Sequence, residues 1–132
     1  MNDEFQVPAR NWPQKFRDAF RGVALAARTE PSYRVHFFFA ALVIGAAAVL
    51  QVTATQWCLL TLCIAFVLSA ETFNSALERM ARTIDRRRNP ELAAALDMGS
   101  GAVLLSAIGS VVMGVIIFLP HLIAAFAQRG SP

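Results

Sequence analysis

The stretch VHFFFAALVIGAAAVLQVTATQWCLLTLCIAFVLSA, residues 35–70, holds no Asp, Glu, Lys or Arg in 36 positions. A soluble domain breaks such a run with charged surface positions, whereas an apolar segment of about 18 or more residues reads as a membrane span. The run is too long for one span and suits two. Its middle, Gln51-Val52-Thr53-Ala54-Thr55-Gln56, reads as a short polar turn, and Trp57 follows at the depth where indole rings favour the water–lipid boundary. Met98 to Gln128 is again free of charge. A third span therefore begins near Gly99 and runs to about Leu119, where Pro120 punctuates it. The expected fold is all-α and integral to a membrane, one domain's worth in 132 residues. Cys58 and Cys63 fall inside the second span without metal-ligand spacing and read as packing residues.

Charge gives the orientation. Of the 12 Lys and Arg residues, Arg10, Lys15, Arg17, Arg21, Arg28 and Arg34 precede the first span, and Arg79, Arg82, Arg86, Arg87 and Arg88 lie between the second and third. The 51–56 turn has none, and Arg129 alone follows the third span. The positive-inside rule places the N-terminus in the cytoplasm and the C-terminus outside. The net charge of +3 is then juxtamembrane, suited to anionic headgroups or phosphates, and is no sign of a nucleic-acid partner. The polar first 34 residues show no cleavable signal peptide.

Residues 1–10 read as a flexible N-terminus. Over 11–30, Asn11 can cap and Pro13 sits in the first turn of a helix. Trp12, Phe16, Ala19, Phe20, Val23 and Ala27 recur on one face, with Lys15, Arg17, Asp18, Arg21 and Arg28 on the other. This is the pattern of an amphipathic helix lying in the membrane interface, or packed on another protein surface. Pro31 then starts the first spanning helix, and residues 31–120 form the three-helix transmembrane domain, with 121–132 as a tail. The second helix is expected from Trp57 to about Asp85, followed by a basic loop at Arg86-Arg87-Arg88. Asn89-Pro90-Glu91 reads as a cap, a first-turn proline and an acid matched to the helix dipole. Ala102, Ser106, Ser110 and Gly114 recur every four residues, an interval that lets helices approach closely in lipid.

Glu71 is the most informative residue. Fourteen positions after Trp57, it lies about 21 Å down its helix, within a hydrocarbon core about 30 Å thick. A carboxylate there costs a few kcal/mol and is a functional candidate by default, against a structural reading in which it bonds a neighbouring helix. A carboxylate so placed can serve as a general base. Asn74 and Glu78, at i+3 and i+7, share its face. Glu78 can hold a divalent cation or pair with Arg82 at i+4. Glu30, at the entry to the first span, and Asp97, at the entry to the third, fall at the same membrane level. Carboxylates beside a basic loop suggest a hard oxygen site, and Mg2+ bound by one or two of them plus substrate phosphates fits. Arg86, Arg87 and Arg88 can steady a nucleotide or anchor to headgroups. No Walker A loop, kinase glycine loop, HExxH or GxSxG occurs.

At Glu71-Thr72-Phe73-Asn74-Ser75-Ala76-Leu77-Glu78 the chain resembles the bacterial diacylglycerol kinase and undecaprenol kinase family, whose signature is an ExxNxAxE helix. Asp97-Met98-Gly99-Ser100-Gly101-Ala102-Val103-Leu104 is similar to the family's KDxxxxAVL segment, and Glu30-Pro31-Ser32-Tyr33-Arg34 to its ExxFR segment. The resemblance covers roughly residues 14–120. It implies a homotrimer of three-span subunits with an amphipathic N-terminal helix in the inner membrane, MgATP as donor and a lipid alcohol as acceptor. It implies Glu71 as the base, Glu30 and Glu78 as metal ligands, and nucleotide contacts from these two with Asn74 and Asp97, to which the basic loop adds Arg87 and Arg88 as candidate nucleotide contacts. Substrate contacts fall to Arg34, Glu71 and Ser100.

Two departures stand out. Leu96 occupies the place of the family's phosphate-binding Lys, and Arg82 that of an acid. Loss of that Lys removes transition-state charge stabilisation, which Arg82 or the 86–88 triplet can restore. If nothing restores it, the chain is a weak or inactive relative with a structural role. A transporter using Glu71 as an ion relay is a third reading, disfavoured because the acids cluster on one face. Tyr33-Arg34-Val35-His36 looks more like the undecaprenol branch and Asp97-Met98-Gly99-Ser100 more like the diacylglycerol branch.

Overall fold

The computed structural model describes residues 10–84 and 89–129. The expectations for residues 1–9 and for Asp85, Arg86, Arg87 and Arg88 lie outside the described residues. Four helices follow in order: α1 Trp12–Thr29, α2 Pro31–Val49, α3 Ala54–Ile84 and α4 Pro90–Arg129. The last three are long and apolar enough to cross a membrane.

Local signals explain where each helix begins. Asn11 and Gln14 form a reciprocal capping box: the Gln14 N–H donates to Asn11 Oδ1 and the Asn11 N–H to Gln14 Oε1, both at 3.0 Å. Glu30 separates α1 from α2. Pro31 disfavours helical backbone at the residue before it, and Glu30 accordingly adopts φ −102°, ψ 118°. At the other end of α2 the chain turns through Gln51, whose φ of 51° is left-handed. The Val52 N–H reaches back to the Ala47 carbonyl at 3.2 Å, the 6→1 bond of a Schellman ending. Residues 54–56, expected in a turn, already belong to α3 because Thr53 and Gln56 make a second capping box. Asn89 Oδ1 accepts from the Glu91 and Leu92 N–H groups and starts α4.

Pro120 does not end α4, which runs on through residues 121–129. A proline removes one backbone bond, and a helix surrounded by lipid has no water to satisfy the groups that unwinding would free, so continuation is favoured. Of the three spanning helices, α3 is central: it packs along α4 and also against α2. Ala47, Val52, Leu60 and Ile117 form a buried cluster at the end of the bundle holding the α2–α3 turn, with Trp57 and Phe118 against it. On α1, Trp12, Phe16 and Phe20 are exposed, and Lys15 Nζ lies 4.9 Å above the Trp12 ring.

Candidate functional site

The end of the bundle opposite the apolar cluster is polar. Glu71 on α3 is 3% exposed. The Ser32 hydroxyl on α2 donates to its Oε1, and His36 Nε2, one helical turn further along α2, lies 3.8 Å from Oε2. The neighbouring positions lock the same seam. Thr72 spends its hydroxyl proton on the Leu68 carbonyl at 2.7 Å, so Tyr33, which is fully buried, donates to Thr72 Oγ1 at 3.2 Å. Burying a carboxylate costs a few kcal/mol, and one hydrogen bond to a charged group returns roughly 1.5–3 kcal/mol. Ser32 therefore offsets much of the cost at Oε1, while Oε2 faces His36 and accepts no hydrogen bond from it.

Asn74 lies one turn further along α3, is buried, and donates through Nδ2 to Glu78 Oε1 at 3.0 Å. Its Oδ1 is buried with no hydrogen-bond partner and points at Gly99 of α4. A Cβ at position 99 would stand 2.6 Å from that oxygen. Glu78 also meets Arg82 at 3.9 Å, the i,i+4 pair. Glu30 is engaged by Arg79, whose Nη2 lies 3.2 Å from Oε1, and the same nitrogen donates to Thr29 Oγ1.

Of the residues singled out in the sequence, Glu71, Asn74 and Glu78 share a helix face, and Glu30 is drawn to α3 through Arg79. Asp97, Arg34 and Ser100 are exposed, and Asp97 has no hydrogen-bond or ion-pair partner among the described residues. Among the described residues no group of three or more His, Cys, Asp or Glu is placed to hold a metal ion. Glu30 is turned to Arg79 instead, and Asp97 faces outward. Arg87 and Arg88 fall outside the described residues. Sequence reasoning missed Ser32, Tyr33, His36, Thr72 and Arg79 as members of this seam. A polar residue one turn from the start of an otherwise apolar span, as His36 is, was the available signal.

From this polar end an apolar groove of about 570 Å³ runs along the bundle. α2 lines it with His36, Phe39 and Val43, α3 with Leu60, Ile64 and Val67, and α4 with Ser110, Gly114 and Phe118. The one imidazole on its wall, His36, is also the residue that faces Glu71. An amphiphile lying in the groove would bring its polar end to a buried carboxylate.

The family profile described as prokaryotic diacylglycerol kinase matches residues 17–118. A diacylglycerol kinase of Synechocystis sp. is 37% identical over 117 residues, 88% of this chain and 67% of that protein. An undecaprenol kinase of Bacillus subtilis is 32% identical over 109 residues, 83% of this chain and 89% of that protein.

Proposed function

Because the chain belongs to the prokaryotic diacylglycerol kinase family, and is by that membership a membrane lipid kinase, we propose that it transfers the γ-phosphoryl group of ATP to the hydroxyl of a membrane lipid alcohol, diacylglycerol or undecaprenol. The observation that carries the reading is Glu71, 3% exposed at the polar end of an apolar groove. The lipid chain lies in the groove and its hydroxyl reaches Glu71 Oε2, the oxygen not taken by Ser32. The hydroxyl oxygen forms the new bond to the γ-phosphorus as the bond from that phosphorus to the β,γ-bridging oxygen breaks. ADP departs with the electron pair, and the hydroxyl proton passes to Glu71. Positioning and a water-poor site do most of the work in such a transfer.

Mg2+ suits the donor set. Glu30 and Glu78 offer hard carboxylate oxygens, and the unpartnered Oδ1 of Asn74, one helical turn before Glu78, is a further buried oxygen. One or two carboxylates completed by substrate phosphates is the usual magnesium environment. Glu30 and Glu78 would hold the ion, which neutralises phosphate charge. Asn74 and Asp97 support the nucleotide, with Arg87 and Arg88 on its phosphates, and Arg34 and Ser100 contact the lipid. We place the site at the cytoplasmic face of the inner membrane, N-terminus inside and C-terminus outside, since eleven of the 12 basic residues then lie on that side. α1 lies in the interface with Trp12, Phe16 and Phe20 in the lipid, and the chain assembles as a homotrimer.

The test is direct. Purified protein in mixed micelles receives γ-labelled MgATP with diacylglycerol or with undecaprenol. Labelled lipid that Glu71→Gln abolishes, by at least about a hundredfold as expected for a lost general base, bears the proposal out. Labelling that survives the substitution removes Glu71 as the base, and no labelling of either lipid by the unaltered chain refutes the proposed acceptors.

A further inference from the structure

Arg79 is held in an unusual place. Its Nη2 lies 3.2 Å from Glu30 Oε1 and also donates to Thr29, joining α3 to the α1–α2 junction. Glu30 Oε1 also accepts from the Thr29 hydroxyl at 3.2 Å, and although Glu30 is the N-cap residue of α2, its side chain caps nothing. Its side chain is 13% exposed, so the carboxylate needs a cation near it, and the guanidinium, 42% exposed, provides one. A metal ion and a guanidinium compete for the same carboxylate oxygen. A triphosphate, conversely, offers the displaced guanidinium a set of anionic acceptors of the geometry that arginine binds best.

Arg82, the other described cation on the polar end of α3, fits this task less well. Position 96 is Leu, so no cation directly precedes Asp97. Arg82 is 63% exposed and meets Glu78 only at 3.9 Å. From these observations we infer that Arg79 is a phosphate-binding residue kept in place by Glu30: it neutralises that carboxylate in the nucleotide-free chain and exchanges it for phosphate oxygens when a metal–nucleotide complex enters. The exchange requires rotation of one long, partly exposed side chain and no movement of a helix. The inference rests on the proposed use of Glu30 as a metal ligand, and it adds a cation that the sequence motifs do not assign.

The two halves of the exchange predict opposite signs for one substitution. Full-length protein in detergent micelles is titrated with Mn2+ alone, followed by the paramagnetic signal of the free ion, and separately with a fluorescent ATP analogue in the presence of Mg2+. Arg79→Ala frees Glu30 and tightens Mn2+ binding, while it weakens the nucleotide by about tenfold or more, the scale of one charge-assisted hydrogen bond. Arg79→Lys keeps the charge and restores part of the nucleotide affinity. Arg79→Ala that moves both constants in the same direction, or moves neither, overturns the inference. Glu30→Gln reports on the underlying site: Mn2+ binding insensitive to it overturns the use of Glu30 and, with it, the exchange. Mn2+ binding that needs Glu30 but ignores Arg79→Ala overturns the role of Arg79 alone. Circular dichroism of each variant shows that the helices are retained.

Discussion

Gly99 of α4 lies against Asn74 and Leu77 of α3 beside the acids, and substituting it gives a quantitative test. A Cβ at that position would lie 2.6 Å from Asn74 Oδ1 and 3.1 Å from Leu77 Cδ1. The leucine methyl is the end of a flexible chain and can move. The amide has less freedom, because its Nδ2 is held by Glu78 Oε1 at 3.0 Å. Moving Oδ1 from 2.6 Å to at least 3.0 Å turns the amide off that carboxylate. A hydrogen bond to a charged acceptor is worth roughly 1.5–3 kcal/mol, and overpacking costs roughly 1–3 kcal/mol. Against this, Ala gains at most about 1 kcal/mol over Gly in helix propensity. Gly99→Ala is therefore destabilising by about 2 kcal/mol or more and weakens MgATP binding. Gly109 is the control: no atom lies within 4 Å of a Cβ there, so Gly109→Ala is neutral or stabilising by up to about 1 kcal/mol. Reversible unfolding by denaturing detergent in mixed micelles, followed by circular dichroism, measures both. With Asn74→Ala in the background the Gly99→Ala penalty falls away, giving a coupling energy of about 1–3 kcal/mol. A Gly99→Ala variant as stable as the parent, or a coupling below about 0.5 kcal/mol, would show that the amide does not face this glycine as described.

Three further outcomes follow from the same geometry. Tyr33→Phe removes the bond to Thr72 and lowers stability by about 1 kcal/mol in the same unfolding assay. Gly114→Leu fills the groove from α4, where a Cβ meets nothing closer than Phe118 Cδ2 at 3.9 Å; a steady-state assay should show the lipid KM rising about tenfold or more, as expected when a well-fitted apolar contact is lost, with MgATP affinity unchanged. Gln51→Gly relieves a left-handed backbone and raises stability by up to about 1 kcal/mol, less whatever the Gln51 Nε2 bond to the Ala48 carbonyl contributes.

Helix starts were legible wherever the signal is local. Asn11, Pro31 and Asn89 act within three or four residues of themselves, and each stands where its chemistry requires. The start of α3 was equally local, since Thr53-Ala54-Thr55-Gln56 is a capping-box sequence, but its polarity reads as a turn when the box is overlooked. Pro120 shows the opposite error. The rule that proline stops a helix assumes water to receive the freed backbone groups, and a lipid-facing helix lacks it. The acids on α3 could be found because helical spacing puts them on one face. Their partners could not: Ser32 and Tyr33 lie 39 residues from Glu71 and Thr72, and Glu30 lies 49 from Arg79. No periodicity links such pairs, and only the packing of α2 on α3 selects them.

That packing also explains why a buried carboxylate and an apolar groove occur on one helix. The inward positions of α3 run Leu60, Ile64, Val67, Glu71, Asn74, Glu78, alternating steps of four and three along a single stripe. The first three line the groove, and the last three are the acids and amide of the polar end. One stripe thus changes character between Val67 and Glu71, about 6 Å apart along the axis at 1.5 Å per residue. An amphiphilic substrate changes character over a similar distance, from acyl chain to hydroxyl. From Leu60 to Glu71 the rise is about 16 Å, long enough for the chain to lie on α3 while α2 and α4 wall it in. The same stripe faces two partners at its polar end, with Glu71 meeting Ser32 and His36 of α2 and Asn74 pressing on Gly99 of α4. A lipid entering between α2 and α4 would then reach the base from the apolar side. In the proposed mechanism a nucleotide bound at Glu78 and Glu30 would approach Glu71 from the polar side, so the two substrates would meet there without sharing a path.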